Sequence, residues 1–292
     1  TSTLVTVAVC TRDRPGELAE TLDALTREAS EQVEVLVVDQ SPAEDPALAR
    51  RDDVRVIRDP GRGLSRARNV ALAAVESRWI AFVDDDCTVA PGFGAALQAQ
   101  LRAAGDADWL SGHVGGGDRE DGGLPLVTTF PVPRPAVRQG RWVLPGSIGF
   151  GVMFVVRCAT ARALGGWDER LGPGVQPFPA ADDMDFNHRL LRSGAKAVLT
   201  PEVRATHRQW RSPAELVDLN RGYSRAWAGF AAKQARTGHP ATALWLWGWG
   251  LVDVLDMTKS ALGRRSRLRA RMAGAKLRGL AEGFAAGIGR RW

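Results

Sequence analysis

The residues best suited to chemistry stand together at one point. The apolar run Trp79-Ile80-Ala81-Phe82-Val83 ends in Asp84-Asp85-Asp86. Five apolar residues have the length of a strand buried on both faces, as in a parallel sheet. The acids would then sit at the strand's carboxyl end, where open α/β sheets place their ligands. Three adjacent carboxylates repel one another unless a cation joins them, and hard oxygen ligands suit magnesium or manganese. A solvated acidic turn is the plainer alternative. A second acidic group, Asp182-Asp183-Asp185, comes about a hundred residues later and could supply a general base. Arg62, Arg66 and Arg68 could meet phosphates or a base. Asp39 closes another apolar run and could accept hydrogen bonds from a base or ribose. Metal, base and phosphate-binding arginines together describe transfer from a nucleotide-activated donor.

The elements needed to position these groups follow from periodicity. Strands are predicted at Leu4–Val9, Val33–Val38, Val54–Ile57 and Trp79–Val83. Helices lie between them: one after Pro15, with Thr11 or Asp13 near its cap, one near Pro46–Arg51, and one opened by Gly61-Arg62-Gly63. Four strands alternating with helices predict a doubly wound parallel sheet. Further on come a helix at Pro91–Ala103, a strand at Ala107–Val114, a Gly/Pro-rich stretch from Gly115 to Pro145 and a strand at Ile148–Val156. Then follow a short helix at Thr160–Leu164, an acidic helix start at Asp182, and extended pieces at Ala197–Leu199 and Val203–Thr206. No Walker sequence is present, and Thr11-Arg12-Asp13-Arg14 stands where a dinucleotide-binding glycine motif would follow the first strand.

With 292 residues, 45% hydrophobic and 25% charged, the chain has the composition of an ordinary globular protein. Its three cysteines are widely spaced and read as reduced thiols, which predicts a cytoplasmic protein. Thr1–Val9 lacks the features of a cleaved leader, and no apolar run approaches the ~20 residues that span a bilayer. The overall charge of +6 is unevenly placed: Met257–Trp292 holds ten Lys and Arg against Glu282, which is +9, leaving −3 for the first 256 residues. Ser212 opens a helical region, with a capping-box start at Ser212-Pro213-Ala214-Glu215 and a break at Gly238-His239-Pro240. Ala241–Leu255 is apolar nearly all round, and a basic amphipathic helix follows Arg264. Both would suit the inner face of a cell membrane, or packing on the catalytic domain or in a homodimer.

Six stretches in order give a resemblance to glycosyltransferase family 2. They are Val7–Pro15, Val35–Ser41, Gly63–Asn69, Phe82–Asp86, Gly165–Glu169 and Ala181–Phe186, within about residues 3 to 207. The resemblance implies a GT-A fold, an α/β, Rossmann-like, mostly parallel sheet flanked by helices, here with a C-terminal helical appendage. It implies a catalytic domain over 1–210, with a nucleotide-binding half at about 1–115 and an acceptor half at about 116–210, followed by the helical region 211–292. It also implies inverting transfer from a nucleotide-sugar, UDP- or dTDP-linked by preference, to a hydroxyl acceptor that is a glycan, a lipid-linked molecule or a small molecule. Thr11, Arg12, Arg14, Asp39, Arg68, Asp84 and Asp85 would lie at the nucleotide. Asp86, Asp84 and His207 would hold Mg2+ or Mn2+, and Asp183 would be the general base. Trp167, Gly166 and Asp182 would contact donor sugar or acceptor.

Two other classes compete with this reading. A metal-dependent phosphohydrolase or nucleotidyltransferase would use the same acids on phosphorus; a nucleotidyltransferase usually carries a Gly-rich, cation-bearing loop after its first strand, which this chain lacks. A nucleic-acid-binding protein would use the basic tail, but few aromatics interleave its arginines and no nucleic-acid partner is expected.

Overall fold

The computed structural model describes residues 3–29, 32–116, 128–208, 212 and 215–292. They resolve into two compact units, 1–168 with 183–209 and 169–182 with 210–292.

The first unit is a sheet between two helical layers. Its strands are β1 (Val5–Thr11), β2 (Val33–Asp39), β3 (Arg55–Arg58), β4 (Trp79–Val83), β5 (Cys87–Val89), β6 (Trp109–Gly116), β7 (Ala136–Gln139), β8 (Met153–Arg157) and β9 (Lys196–His207). The order is β3-β2-β1-β4-β8-β6-β9-β5, with β7 on β9. β3, β2, β1 and β4 run parallel, as expected. The other half is mixed: β8 is antiparallel to both β4 and β6, β9 is parallel to β6, and β5 and β7 are antiparallel to β9.

Alternation along each strand feeds two cores. Val5, Val7 and Val9 of β1 and Trp79, Ala81 and Val83 of β4 face α1 (Pro15–Arg27) and α3 (Phe93–Ala103). Ala8, Ile80 and Phe82 face α2 (Leu64–Ala74), α4 (Cys158–Ala163) and the Phe186–Leu190 stretch of α5 (Asp182–Arg192). Because β1 is flanked by β2 on one side and β4 on the other, the chain reverses its winding beside it. The carboxyl ends of β1, β2 and β4 therefore open on one crevice.

Several expected elements shift. The helix near Pro46–Arg51 is a short 3-10 turn, Leu48–Arg50. Ile148 belongs to another such turn, Pro145–Ile148, and strand β8 begins only at Met153. The two extended pieces near the end are one strand, β9. Pro201 falls where its register against β6 skips from Ser111/Leu199 to His113/Arg204, a bulge that tolerates a residue without an N–H. Part of the Gly115–Pro145 stretch, 117–127, lies outside the described residues, while β7 lies inside that stretch.

Trp167 differs in role from its expected place at the sugar. It is 2% exposed, stacks on Phe186 at 4.3 Å with planes 10° apart, and meets Phe82 edge-on at 5.1 Å. A ring covered by core aromatics has no face to offer a ligand, so Trp167 is corrected to a packing residue.

The second unit holds α6 (Glu215–Arg236), α7 (Pro240–Gly263) and α8 (Arg267–Ile288). Ser212 and Glu215 form the expected reciprocal cap: the Glu215 carboxylate accepts from Ser212 N at 2.7 Å, and Ser212 Oγ accepts from Glu215 N at 3.5 Å. Gly279, Gly283 and Gly287 let α8 approach α6 closely. A Cβ at Gly283 would stand 2.0 Å from Arg225 O. Segment 169–182 is pinned to these helices by Phe178, which stacks on Trp292 at 5.3 Å and fills the space left at Gly229.

Trp167→Ala should lower unfolding free energy by about 3–5 kcal/mol in denaturant titration. A Trp167→Ala chain as stable as the native one would contradict its place in the core.

Candidate active site

Thr11, Asp39 and Asp84–Asp86 come to the crevice because they end, or directly follow, β1, β2 and β4. The turn after β4 is then closed by β5, whose Cys87 pairs with His207 of β9. That pairing brings a residue more than a hundred positions away beside the acids. His207 Nε2 lies 3.1 Å from Asp86 Oδ1, and its Nδ1 lies 3.0 Å from Thr128 O. Fixing one ring nitrogen at a carbonyl aims the other at the carboxylate, an arrangement common in metal-ligating histidines.

The three carboxylates face different ways. Asp85 is turned inward: it accepts from Thr11 Oγ1 and from Arg14 at 2.8 Å each, and its own carbonyl accepts from Thr21. Burial, the largest influence, pushes its carboxyl up, against the pull of Arg14 and Thr11. Arg14 also reaches Asp86 Oδ2 at 3.2 Å. Thr11, Arg14 and Asp85, all expected at the nucleotide, are thus brought together as one another's partners. Asp84 faces the crevice. Although 29% of its side chain is exposed, the surrounding walls desolvate its carboxyl and push it up to about 7; Arg68 and His207 oppose this, and Asp86 and Asp85 add to it.

Burial also disfavours a charged His207, but the hydrogen bond and charge of Asp86 outweigh it and raise the imidazole's basicity. Asp86, Cys87 and His207 offer ligand atoms all within 4.8 Å of one another. Burial among the acids drives the Cys87 thiol well above its ordinary range, so it remains protonated and is the poorest ligand of the three. Asp86 with His207, and Asp84 alongside, form an oxygen-rich set with one imidazole, which fits Mn2+ or Mg2+.

Arg208 clamps this turn from behind. Its backbone N donates to Asp86 O at 2.9 Å, and its guanidinium donates to Glu17 O at 2.6 Å and pairs with Glu20.

Around the nucleotide crevice, Asp39 is 1% exposed, accepts from Ser41 N at 2.8 Å and is paired with Arg58, its neighbour across the β2–β3 ladder. Arg12 donates to Gln40 O at 3.0 Å. Gln40 donates to Asp59 and accepts from Gly63 N, and Asp59 holds Arg66 at 3.0 Å. This network shapes the Gly61–Gly63 loop. Burial works to raise Asp59's carboxyl, but the bonds from Arg66, Gln40 and Gly61 hold it below its usual range.

Arg68 is 1% exposed and lies over the rings of Phe154 and Phe82. It donates to Gly151 O at 2.9 Å and stands 3.9 Å from Asp84. The N–H of the same Gly151 donates to Asp183 Oδ2 at 2.9 Å, and Met184 N donates to Oδ1 at 2.7 Å. A Cβ at Gly151 would stand 2.7 Å from the Arg68 guanidinium. Glycine therefore connects the Asp183 carboxylate to Arg68 beside Asp84.

Asp182 is buried at the start of α5, after Ala181 with a left-handed φ of 67°. Gly166 also has a left-handed φ, 69°; its carbonyl accepts from Arg189, and the space of its absent Cβ is taken by Asn69. Asp185 is fully buried on Arg189 at 2.9 Å, a structural pair.

Arg58, Asp59, Arg208 and Gly151 escape a sequence reading. Apart from Arg66, seven residues beyond Asp59, their partners are 19 to 191 residues away or are backbone atoms, and no local spacing signals these.

Among curated proteins, the chain is similar to the pre-mycofactocin glycosyltransferase of Mycobacterium tuberculosis, 25% identical over 228 residues. That match covers 70% of this chain and 42% of the relative, so the chain spans less than half the relative's length. Among solved structures it is similar to the mannosyltransferase PcManGT from Pyrobaculum calidifontis in complex with GDP-Man and Mn2+. The TM-score is 0.60 with 17% identity, over 96% of this chain and 86% of that one. It is also similar to GalNAc-T7 with UDP, GalNAc and Mn2+, with TM-score 0.53 and 17% identity, over 80% of this chain and 51% of that one. These likenesses show a shared α/β fold of the GT-A kind. The family described as Glycosyl transferase family 2 matches residues 6–162, more than half of the chain and, but for Val5, all of β1 to β8. The chain therefore belongs to glycosyltransferase family 2.

Proposed function

We propose that the protein transfers a sugar from a nucleotide-sugar, UDP- or dTDP-linked by preference, to an acceptor hydroxyl with inversion at the anomeric carbon. The observation that carries this reading is the placement of Asp183. A half-buried carboxylate, held at both oxygens by backbone N–H groups, is linked through Gly151 to Arg68 beside Asp84.

Asp39, held ready by Arg58 and Ser41, accepts from the base of the donor nucleotide, with Arg12 close by at the Gln40 carbonyl. Arg68 faces the diphosphate. Asp86, His207 and Asp84 would hold Mg2+ or Mn2+. A divalent cation there would offset charge on the departing diphosphate. The relatives crystallised with Mn2+ support this choice. Asp183 takes the acceptor's proton as its oxygen attacks, and the two N–H bonds keep the carboxylate oriented until then. Asp182, adjacent in sequence, contacts the acceptor. Attack at the anomeric carbon would release the intact nucleoside diphosphate, whereas a phosphohydrolase would cleave a P–O bond of the donor.

In slow hydrolysis of an α-linked nucleotide-sugar, NMR should show the β-anomer released first; initial release of the α-anomer would contradict inversion. Asp183→Asn should lower turnover about 10²–10⁴-fold while leaving nucleotide binding within a factor of about two; unchanged turnover would remove Asp183 as the base.

Metal binding should depend on pH in one direction. Both Asp84 and His207 hold protons more tightly here than when free, and ligation requires both deprotonated. Mn2+ affinity should therefore fall as pH drops from about 8 to about 6 in calorimetry, and His207→Ala should flatten the slope. A rise in affinity toward acid would contradict this ligand set.

A further inference from the structure

The second unit carries a surface that the proposed reaction does not use. On α7, Leu244, Leu251, Leu255 and Leu262 recur at intervals of seven, four and seven. At about 100° per residue these four fall within about 40° of one line, a ridge about 27 Å long. They are exposed, Leu244 at 76% and Leu262 at 75%. Trp245, Val252 and Trp249 continue the exposed apolar surface round one side of the helix. The opposite side is the packed one: Leu246 carries the carbonyl that accepts from Trp227 of α6, and Gly250 lies against Leu280 of α8. Helix α8 extends the surface, because Phe284 meets Trp247 at 5.0 Å and Leu277 and Ile288 flank it along the same face.

The rim of this surface is cationic. Lys259, Arg264, Arg265, Arg267, Arg271 and Arg278 are exposed. Asp253 is paired with Lys276, and Asp256 lies at the edge of the face. Fourteen Lys and Arg against five Asp and Glu leave residues 215–292 at +9. Among the described residues no helix is long and apolar enough to cross a membrane.

We propose that this α7–α8 face docks on the surface of an anionic lipid bilayer, with the leucine ridge, the tryptophans and Phe284 in the headgroup–acyl boundary and the arginines on lipid phosphates. Charge decides the occupant. A second copy on the same face would bring two bodies of +9 together, whereas an anionic bilayer meets both the apolar ridge and its basic rim. Exposed tryptophans beside leucines are the residues that settle at such an interface. The proposal does not depend on the sugar-transfer reading, and its test reads no turnover.

The test is co-sedimentation of the full chain with phosphatidylcholine vesicles, with and without about 30% phosphatidylglycerol. Binding should require the anionic lipid and weaken with added salt. Neutralising Arg264, Arg265 and Arg267 to Gln should weaken partition about a hundredfold, and Leu251→Gln with Leu255→Gln should abolish it. All these positions are exposed, so circular dichroism and melting should be unchanged and would verify folding. Failure of the native chain to bind anionic vesicles would overturn the proposal. So would equal binding to neutral vesicles, or binding by a folded leucine variant at the native level. A native dimer by light scattering that the leucine variant converts to monomer, without vesicle binding, would assign the face to a second copy instead.

Discussion

Three consecutive carboxylates at the end of a buried strand are the constraint on which the rest of the first unit depends. Buried charge is costly unless paired and hydrogen-bonded, and each of these acids is handled differently. Asp85 is turned inward and satisfied by Thr11 and Arg14. Asp86 is shared between Arg14 and His207. Asp84 is left facing the crevice with Arg68 at 3.9 Å, and its raised carboxyl reports the remaining cost. The middle residue thus serves as an anchor for the turn, with Asp84 left at the crevice and Asp86 buried against His207. The topology follows from the same need: β5 and β9 exist beside the turn to deliver His207, and Arg208 immediately after it ties the turn to α1.

The second consequence is geometric. Arg68 and Asp183 lie on different helices, yet both bind Gly151, one at its carbonyl and the other at its N–H. A single residue without a side chain therefore sets the spacing between the Arg68 guanidinium beside Asp84 and the carboxylate proposed here as the base. Any Cβ there would collide with the guanidinium. Catalysis by positioning needs this kind of fixed distance, and backbone contacts supply it more rigidly than long side chains would.

Much of this was legible in the sequence because it is written in local patterns. The parallel half of the sheet announces itself through β-branched runs, and β4 ends in acids at the position where such sheets bind ligands. The helix break at Gly238–Pro240 and the capping box at Ser212 were equally plain. What escaped is what depends on distant pairing. Whether Trp167 stacks on a sugar or on Phe186 depends on where α5 folds back. Arg14 follows the first strand as a nucleotide-binding residue would, but its partners are 71 and 72 residues away. β5 has three residues, too few for a period to show, and Pro201 made one bulged strand resemble two.

The Asp84–Asp86 turn and His207 are proposed as a metal-assisted nucleotide site. Its most direct test is calorimetric titration of UDP, dTDP, GDP and CDP with and without Mn2+, on the native chain and on Asp86→Ala. One nucleotide, UDP or dTDP by preference, should bind in a Mn2+-dependent manner, and the substitution should remove the dependence. A folded native chain that binds none of the four, or that binds equally well without the metal and without Asp86, would contradict this assignment.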